Sequence, residues 1–108
     1  MAIISNPTVQ NGALLTAQGQ KTFLNITATT LVKSVAGRVA KVSVIAPSTA
    51  GSSPATIYDH ATTSGVATAN AIAIVPDVAG VYSIDLPVSN GIVLAVGGAG
   101  QVLAISYV

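Results

Sequence analysis

Tyr58-Asp59-His60 is the place to look first for chemistry, because it joins the chain's single histidine to one of its three acidic residues and one of its three tyrosines. An imidazole beside a carboxylate can act as a general base, and with a serine it can build a nucleophilic triad. The spacing argues against both. The run "ATIYDH" reads as a β-strand, in which Tyr58 and His60 face one way and Asp59 the other, so the three cannot converge without a bend. Ser52 and Ser53 lie close by, but they fall in a loop and no Gly-x-Ser-x-Gly elbow surrounds them. The expectation is structural: Tyr58 packs on the sheet and Asp59 caps the turn that follows.

Other chemistries have less to work with. There is no cysteine, so disulfides, thiolate metal sites and cysteine nucleophiles are excluded. The aspartates stand at 59, 77 and 85, with no His-x-His, no His-Glu-x-x-His and no carboxylate cluster. A calcium ion held between loops could still draw on backbone carbonyls. Asp77, after Pro76, reads as a turn residue and Asp85 as a solvated strand position. Lys21, Lys33, Arg38 and Lys41 lack the aromatic residues that would stack bases. They suit strand edges better, where lysine discourages edge-to-edge pairing. "GGAG" lacks the lysine of a phosphate loop and reads as a turn; Asn25-Ile26-Thr27 matches a glycosylation acceptor but has no secretory context.

The elements that would position these residues repeat with a period of two. Seven runs rich in Val, Ile and Tyr are bounded by Gly, Pro, Asn or Ser: "KTFLNITATTLVK", "RVAKVSVIAP", "ATIYDH", "NAIAIVP", "GVYSIDLP", "GIVLAV" and "GQVLAISYV". In the first, simple alternation places Phe23 with Asn25 and Leu24 with Ile26 and Ala28. In the second it turns Val42, Val44 and Ala46 inward and Lys41 and Ser43 outward. In "GVYSIDLP" it groups Tyr82, Ile84 and Leu86 against Ser83 and Asp85. The pattern predicts an all-β fold, one antiparallel β-sandwich or jelly-roll-like barrel of about seven strands. Asn90-Gly91 predicts a hairpin with positive φ, and Gly97 to Gly100 a second tight reversal. Pro47 to Pro54 reads as a flexible surface loop, and Ala61 to Ala69 as a helical turn or a loop. Residues 1–20 keep no sustained period and read as an amino-terminal arm with room for one short strand, so the β-domain is assigned to residues 21–108.

A chain of 108 residues suffices for one domain with one core. Apolar residues make up 51% and the mean hydropathy is +0.73. The longest uncharged stretch, Leu86 to Val108, is interrupted by Gly97, Gly98, Gly100 and Gln101, and no basic residue flanks its apolar part. Two strands and a turn suit it better than a membrane span. "MAIISNPTVQ" has no basic n-region, so the expectation is a soluble protein made in a cytoplasm. Charged residues make up only 6%, against about 25% in ordinary soluble domains. The net charge of +1 supplies no field to steer nucleic acid or anionic lipid. A surface so poor in charge is ill protected against association, which suits a protein whose surface is occupied by neighbours.

From residue 54 to 108 the chain resembles small all-β virion structural proteins of tailed bacteriophages. The resemblance rests on Tyr58-Asp59, on Ile-x-x-x-Pro from Ile72 to Pro76, on Gly80-Val81-Tyr82, and on Gly-Gln-x-x-x-x-Ser-Tyr from Gly100 to Tyr107. Residues 1–53 carry none of it. It implies a head decoration or cement protein on the capsid exterior that binds the major capsid protein, as a homotrimer, with no catalytic residue and no cofactor. In that setting Ile3, Ile4, Leu14 and Leu15 of the arm are the expected capsid contacts. Two other readings stay open. One is a fibre or spike-base module binding a host surface ligand, which would usually expose aromatic residues; the other is a small hydrolase or lectin-like sandwich using His60.

Overall fold

The computed structural model describes residues 21–108. These form eight strands: β1 (Lys21–Ile26), β2 (Thr30–Lys33), β3 (Gly37–Ala46), β4 (Ala55–Asp59), β5 (Ala71–Val75), β6 (Gly80–Val88), β7 (Ile92–Ala95) and β8 (Val102–Tyr107). The strands make two antiparallel sheets of four, ordered β1-β8-β3-β6 and β2-β7-β4-β5. This is the expected all-β sandwich, with one strand more than the count from sequence.

The additional strand comes from "KTFLNITATTLVK". Its alternation breaks at Asn25, which has a φ of 55°, and β1 carries a bulge between Phe23 and Ile26. Phe23 pairs with Ile105 and Ile26 with Leu103, so Phe23 shares its face with Ile26 rather than with Asn25. After residues 27–29 the chain resumes as β2 in the other sheet. A bulge also interrupts the pairing of β6 with β3. Asp85 has a φ of 53°, and β6 holds one extra residue between the pairs Lys41–Ser83 and Val39–Leu86. Leu86 pairs with the core residue Val39 as Tyr82 pairs with Val42, so the two keep one face as expected, although Leu86 is 38% exposed and Tyr82 and Ile84 are half-buried. In β3 the expectation is met for Val42 and Val44, buried, and for Lys41 and Ser43 on the other face; Ala46, beyond a register shift that pairs it with Val102, is only half-buried and not turned inward with them.

The core lies between the sheets. Val39, Val42, Val44, Ile57, Ile92, Leu94, Leu103 and Ile105 fill it, all almost fully buried. Burying such β-branched and aliphatic side chains contributes roughly 1.5–3 kcal/mol each, and this is the main force holding the layers together.

The connections depart from expectation. Only β4 and β5 are joined consecutively within one sheet; the other connections cross between sheets. The Asn90-Gly91 turn is therefore not a hairpin, since β6 pairs with β3 whereas β7 pairs with β2 and β4. Gly97 to Gly100 likewise carries the chain from β7 to β8 in the opposite sheet. Three residues in extended form span about 10 Å, the distance between packed sheets. A three-residue turn can therefore change layers as readily as it can reverse a strand. Nor does Gly91 have positive φ. A Cβ there would lie 2.5 Å from the carbonyl oxygen of His60 and 2.6 Å from that of Lys33, so glycine is needed for close approach. In the segment between β4 and β5, residues 68–70 form a single 3-10 turn.

Candidate functional site

The two ends of the sandwich each carry one engaged carboxylate, and between them they use two of the three aspartates. The end where β3 begins and β8 finishes is held by Asp59. Its Oδ2 accepts from the N–H of Ser89 at 2.9 Å and its Oδ1 from the N–H of Asn90 at 2.8 Å, with a longer bond from Gly91. Asp59 is the last residue of β4 and pairs with Ile92, so its side chain points toward the crossing from β6 to β7. Desolvation works to raise its pKa, but the three backbone donors together outweigh that and hold it below the ordinary carboxylate value. The expectation that Asp59 caps the turn following it is corrected: it caps a turn 30 residues further along the chain.

Tyr58 and His60 do not join it. Tyr58 sits half-buried on the outer face of its sheet, opposite Val93, in line with the expected packing role. His60 lies beyond the strand, and its Nδ1 is engaged locally with Thr62, at 3.2 Å from the backbone nitrogen and 3.0 Å from the carbonyl oxygen. No serine hydroxyl is hydrogen-bonded to the imidazole among the described residues.

Asp77 builds the opposite end, and here the expectation of a simple turn residue fails. Asp77 is 7% exposed. Its Oδ1 accepts from the Ser48 N–H at 2.8 Å and from Gln101 Nε2 at 2.9 Å. Its Oδ2 accepts from the Ser53 N–H at 3.0 Å and from the Ser48 hydroxyl. The Ser48 hydroxyl lowers its pKa most, followed by the Ser53 and Ser48 backbone donors, to about 2. Gln101 extends the network: Oε1 accepts from Gly97 N–H at 2.7 Å and Nε2 also donates to the Ser53 carbonyl at 3.2 Å. One carboxylate and one carboxamide thus tie together the β3–β4, β5–β6 and β7–β8 connections. The Pro47 to Pro54 loop, expected to be flexible, is fastened through Ser48, itself buried.

Sequence reasoning missed Ser48, Ser53 and Gln101 as partners of Asp77 because they lie 24 to 29 residues from it. The one usable signal was Gln101 itself, a lone amide in an apolar run. A long polar side chain there needs a buried partner.

Arg38 donates from Nη2 to the main-chain oxygen of Asp85 at 2.9 Å, leaving the Asp85 carboxylate exposed as expected. Among the described residues there is no cavity, and no group of three or more His, Cys, Asp and Glu that could hold a metal ion. No helix there is long and apolar enough to cross a membrane. Ile3, Ile4, Leu14 and Leu15 lie outside the described residues. Exposed apolar side chains supply the other feature of the surface: Leu24, Val35, Ile45, Ile74, Val78 and Val81 are each at least 60% exposed. No family model, no curated protein and no solved structure matches the chain.

Proposed function

We propose that the protein is a non-enzymatic structural component of a bacteriophage virion, decorating or cementing the head by binding the major capsid protein. The observation that carries this reading is the division of polar and apolar groups. The carboxylates of Asp59 and Asp77 are engaged by neutral donors that fasten loops, while large aliphatic side chains stand exposed on an almost uncharged surface. Chemistry needs ionisable groups free to act in a cleft; adhesion needs apolar area on a rigid frame. In this role the protein works as a homotrimer on the capsid exterior, after synthesis in the host cytoplasm, and needs neither cofactor nor nucleic acid.

Residues 1–20 contribute reach, since twenty residues in extended form span up to about 70 Å. Deleting residues 2–20 is expected to preserve the far-UV circular dichroism of the β-domain but abolish co-sedimentation with capsids that lack the protein. Undiminished co-sedimentation would remove the arm, with Ile3, Ile4, Leu14 and Leu15, from the account. If neither form binds capsids but both bind host cells, a fibre or spike-base module replaces this reading.

A further inference from the structure

Asn90-Gly91, whose composition suits a tight turn, also carries a reactivity of its own. The backbone nitrogen of the residue after an asparagine can attack the side-chain carbonyl carbon, Cγ, and close a five-membered imide. Here the new bond would join Gly91 N to Asn90 Cγ. The bond from Cγ to the side-chain nitrogen breaks, and that nitrogen leaves as ammonia, taking the Gly91 amide proton. Solvent water then opens the imide. Cleavage at Cγ leaves an aspartate; cleavage at the Asn90 main-chain carbonyl leaves an isoaspartate, whose main chain is one carbon longer. The following residue decides how readily the ring closes. Of the five asparagines, Asn6 precedes proline, which has no N–H, and Asn25 and Asn70 precede Ile26 and Ala71, whose Cβ crowds the attack. Asn11 and Asn90 precede glycine, which has no Cβ.

The fold restrains the groups this reaction must move. Asn90 is exposed, so water and the departing ammonia have free passage. Gly91 is buried, and its N–H points at Asp59 Oδ1 from 3.4 Å, while the same carboxylate takes the N–H groups of Ser89 and Asn90 at 2.9 and 2.8 Å. The attacking nitrogen must give up its proton, and a negative charge developing against an ionised carboxylate is unfavourable. Asp59 is ionised at neutral pH, since its donors hold its pKa below the ordinary value. The nitrogen must also swing toward Cγ. Against that movement stand the carbonyl oxygens of His60 and Lys33, 2.5 and 2.6 Å from where a Gly91 Cβ would lie. Charge and packing oppose ring closure together. We propose that Asn90-Gly91 is a latent self-modification site that Asp59 keeps closed, so that Asn90 is converted only when this end of the sandwich opens.

Reclosing does not undo the conversion. An aspartate at position 90 sets a second carboxylate beside Asp59, where the Asn90 side chain helps to stabilise the ionised form. An isoaspartate lengthens the main chain between N–H groups that share one acceptor. Either product weakens the crossing from β6 to β7, so a first opening makes the next one easier.

The inference is independent of the proposed function and is tested on the full chain in solution. Samples kept in mildly alkaline buffer, with and without urea, are digested and mapped by mass spectrometry, and an isoaspartate-specific methyltransferase counts the rearranged product. In urea Asn11 and Asn90 should react at similar rates. In native buffer Asn90 should react at least about tenfold more slowly than in urea, as expected of a reaction confined to a local opening. Asp59→Ala, shown to be folded by far-UV circular dichroism, should abolish most of that protection. If it does not fold, Asp59→Asn, which keeps the shape and removes the charge, takes its place. Gln101→Leu, which loosens the opposite end, should leave Asn90 protected. As a readout that needs no change at Asp59, Asn90→Asp should melt below wild type at pH 7. Equal Asn90 rates in native buffer and in urea would overturn the proposal. So would equal acceleration by Gln101→Leu and the Asp59 variant, since global unfolding would then set the rate. An Asn90→Asp variant as stable as wild type would overturn it as well.

Discussion

Asp77 shows how a single side chain can govern a whole end of the molecule. Its folded pKa of about 2 lies below the ordinary 3.8, because the folded state offers the ionised form the Ser48 hydroxyl, two backbone N–H groups and Gln101. A carboxyl depressed in this way stabilises the fold at every pH above its unfolded value. That contribution fades as pH falls from about 4 toward 2, where the folded state too takes up the proton. Thermal melts should therefore drop steeply across this window. Asp77→Asn should flatten the drop and lower Tm at pH 7 by at least about 5 °C, since an amide nitrogen would face donors. Gln101→Leu should cost about 1–3 kcal/mol by leaving the Gly97 N–H and one Asp77 bond unmet. His60→Ala, which removes only local bonds to Thr62, should stay within about 0.5 kcal/mol of wild type. If Asp77→Asn melts like wild type at pH 7 and retains the full acid drop, the network is not what holds this end.

At the scale of the elements, the sequence displayed the strands and concealed their partners. Period-two runs located nearly all of them, because side chains that alternate across a half-buried sheet leave their mark locally. The connections left no such mark. Ser89-Asn90-Gly91 has hairpin composition, yet it joins sheets, and its local chemistry serves either geometry. What distinguishes the two is Asp59, 30 residues away, gathering the turn's N–H groups, together with the backbones of His60 and Lys33 pressed against Gly91. The same holds for Ser48, Ser53 and Asp77: each is ordinary in its own segment, Gln101 alone stands out as an amide in an apolar run, and only the layer crossings bring the four together. Bulges at Asn25 and Asp85 were hidden for a similar reason, since both are ordinary strand or turn residues until the register is known. Gly91→Val should cost about 1–3 kcal/mol, because a β-branched side chain would have to displace backbone from two elements. An unchanged denaturation midpoint would mean that the crossing has slack and that Gly91 is not a contact point.

Taken as a whole, the molecule is a rigid frame with an uneven surface. Its two engaged carboxylates fasten loops at opposite ends, and among the described residues six aliphatic side chains, each at least 60% exposed, stand on a surface that carries very little charge. A soluble monomer with that surface would lack the mixed charge that keeps proteins apart, so the physical expectation is a life spent in contact with neighbours. Cryo-electron microscopy of capsids lacking this protein, before and after saturation with it, tests the central claim most directly. The account predicts new density on the outer surface of the head that accommodates the two-sheet sandwich at regular positions between capsid subunits. Heads that gain no density at saturating protein would contradict it.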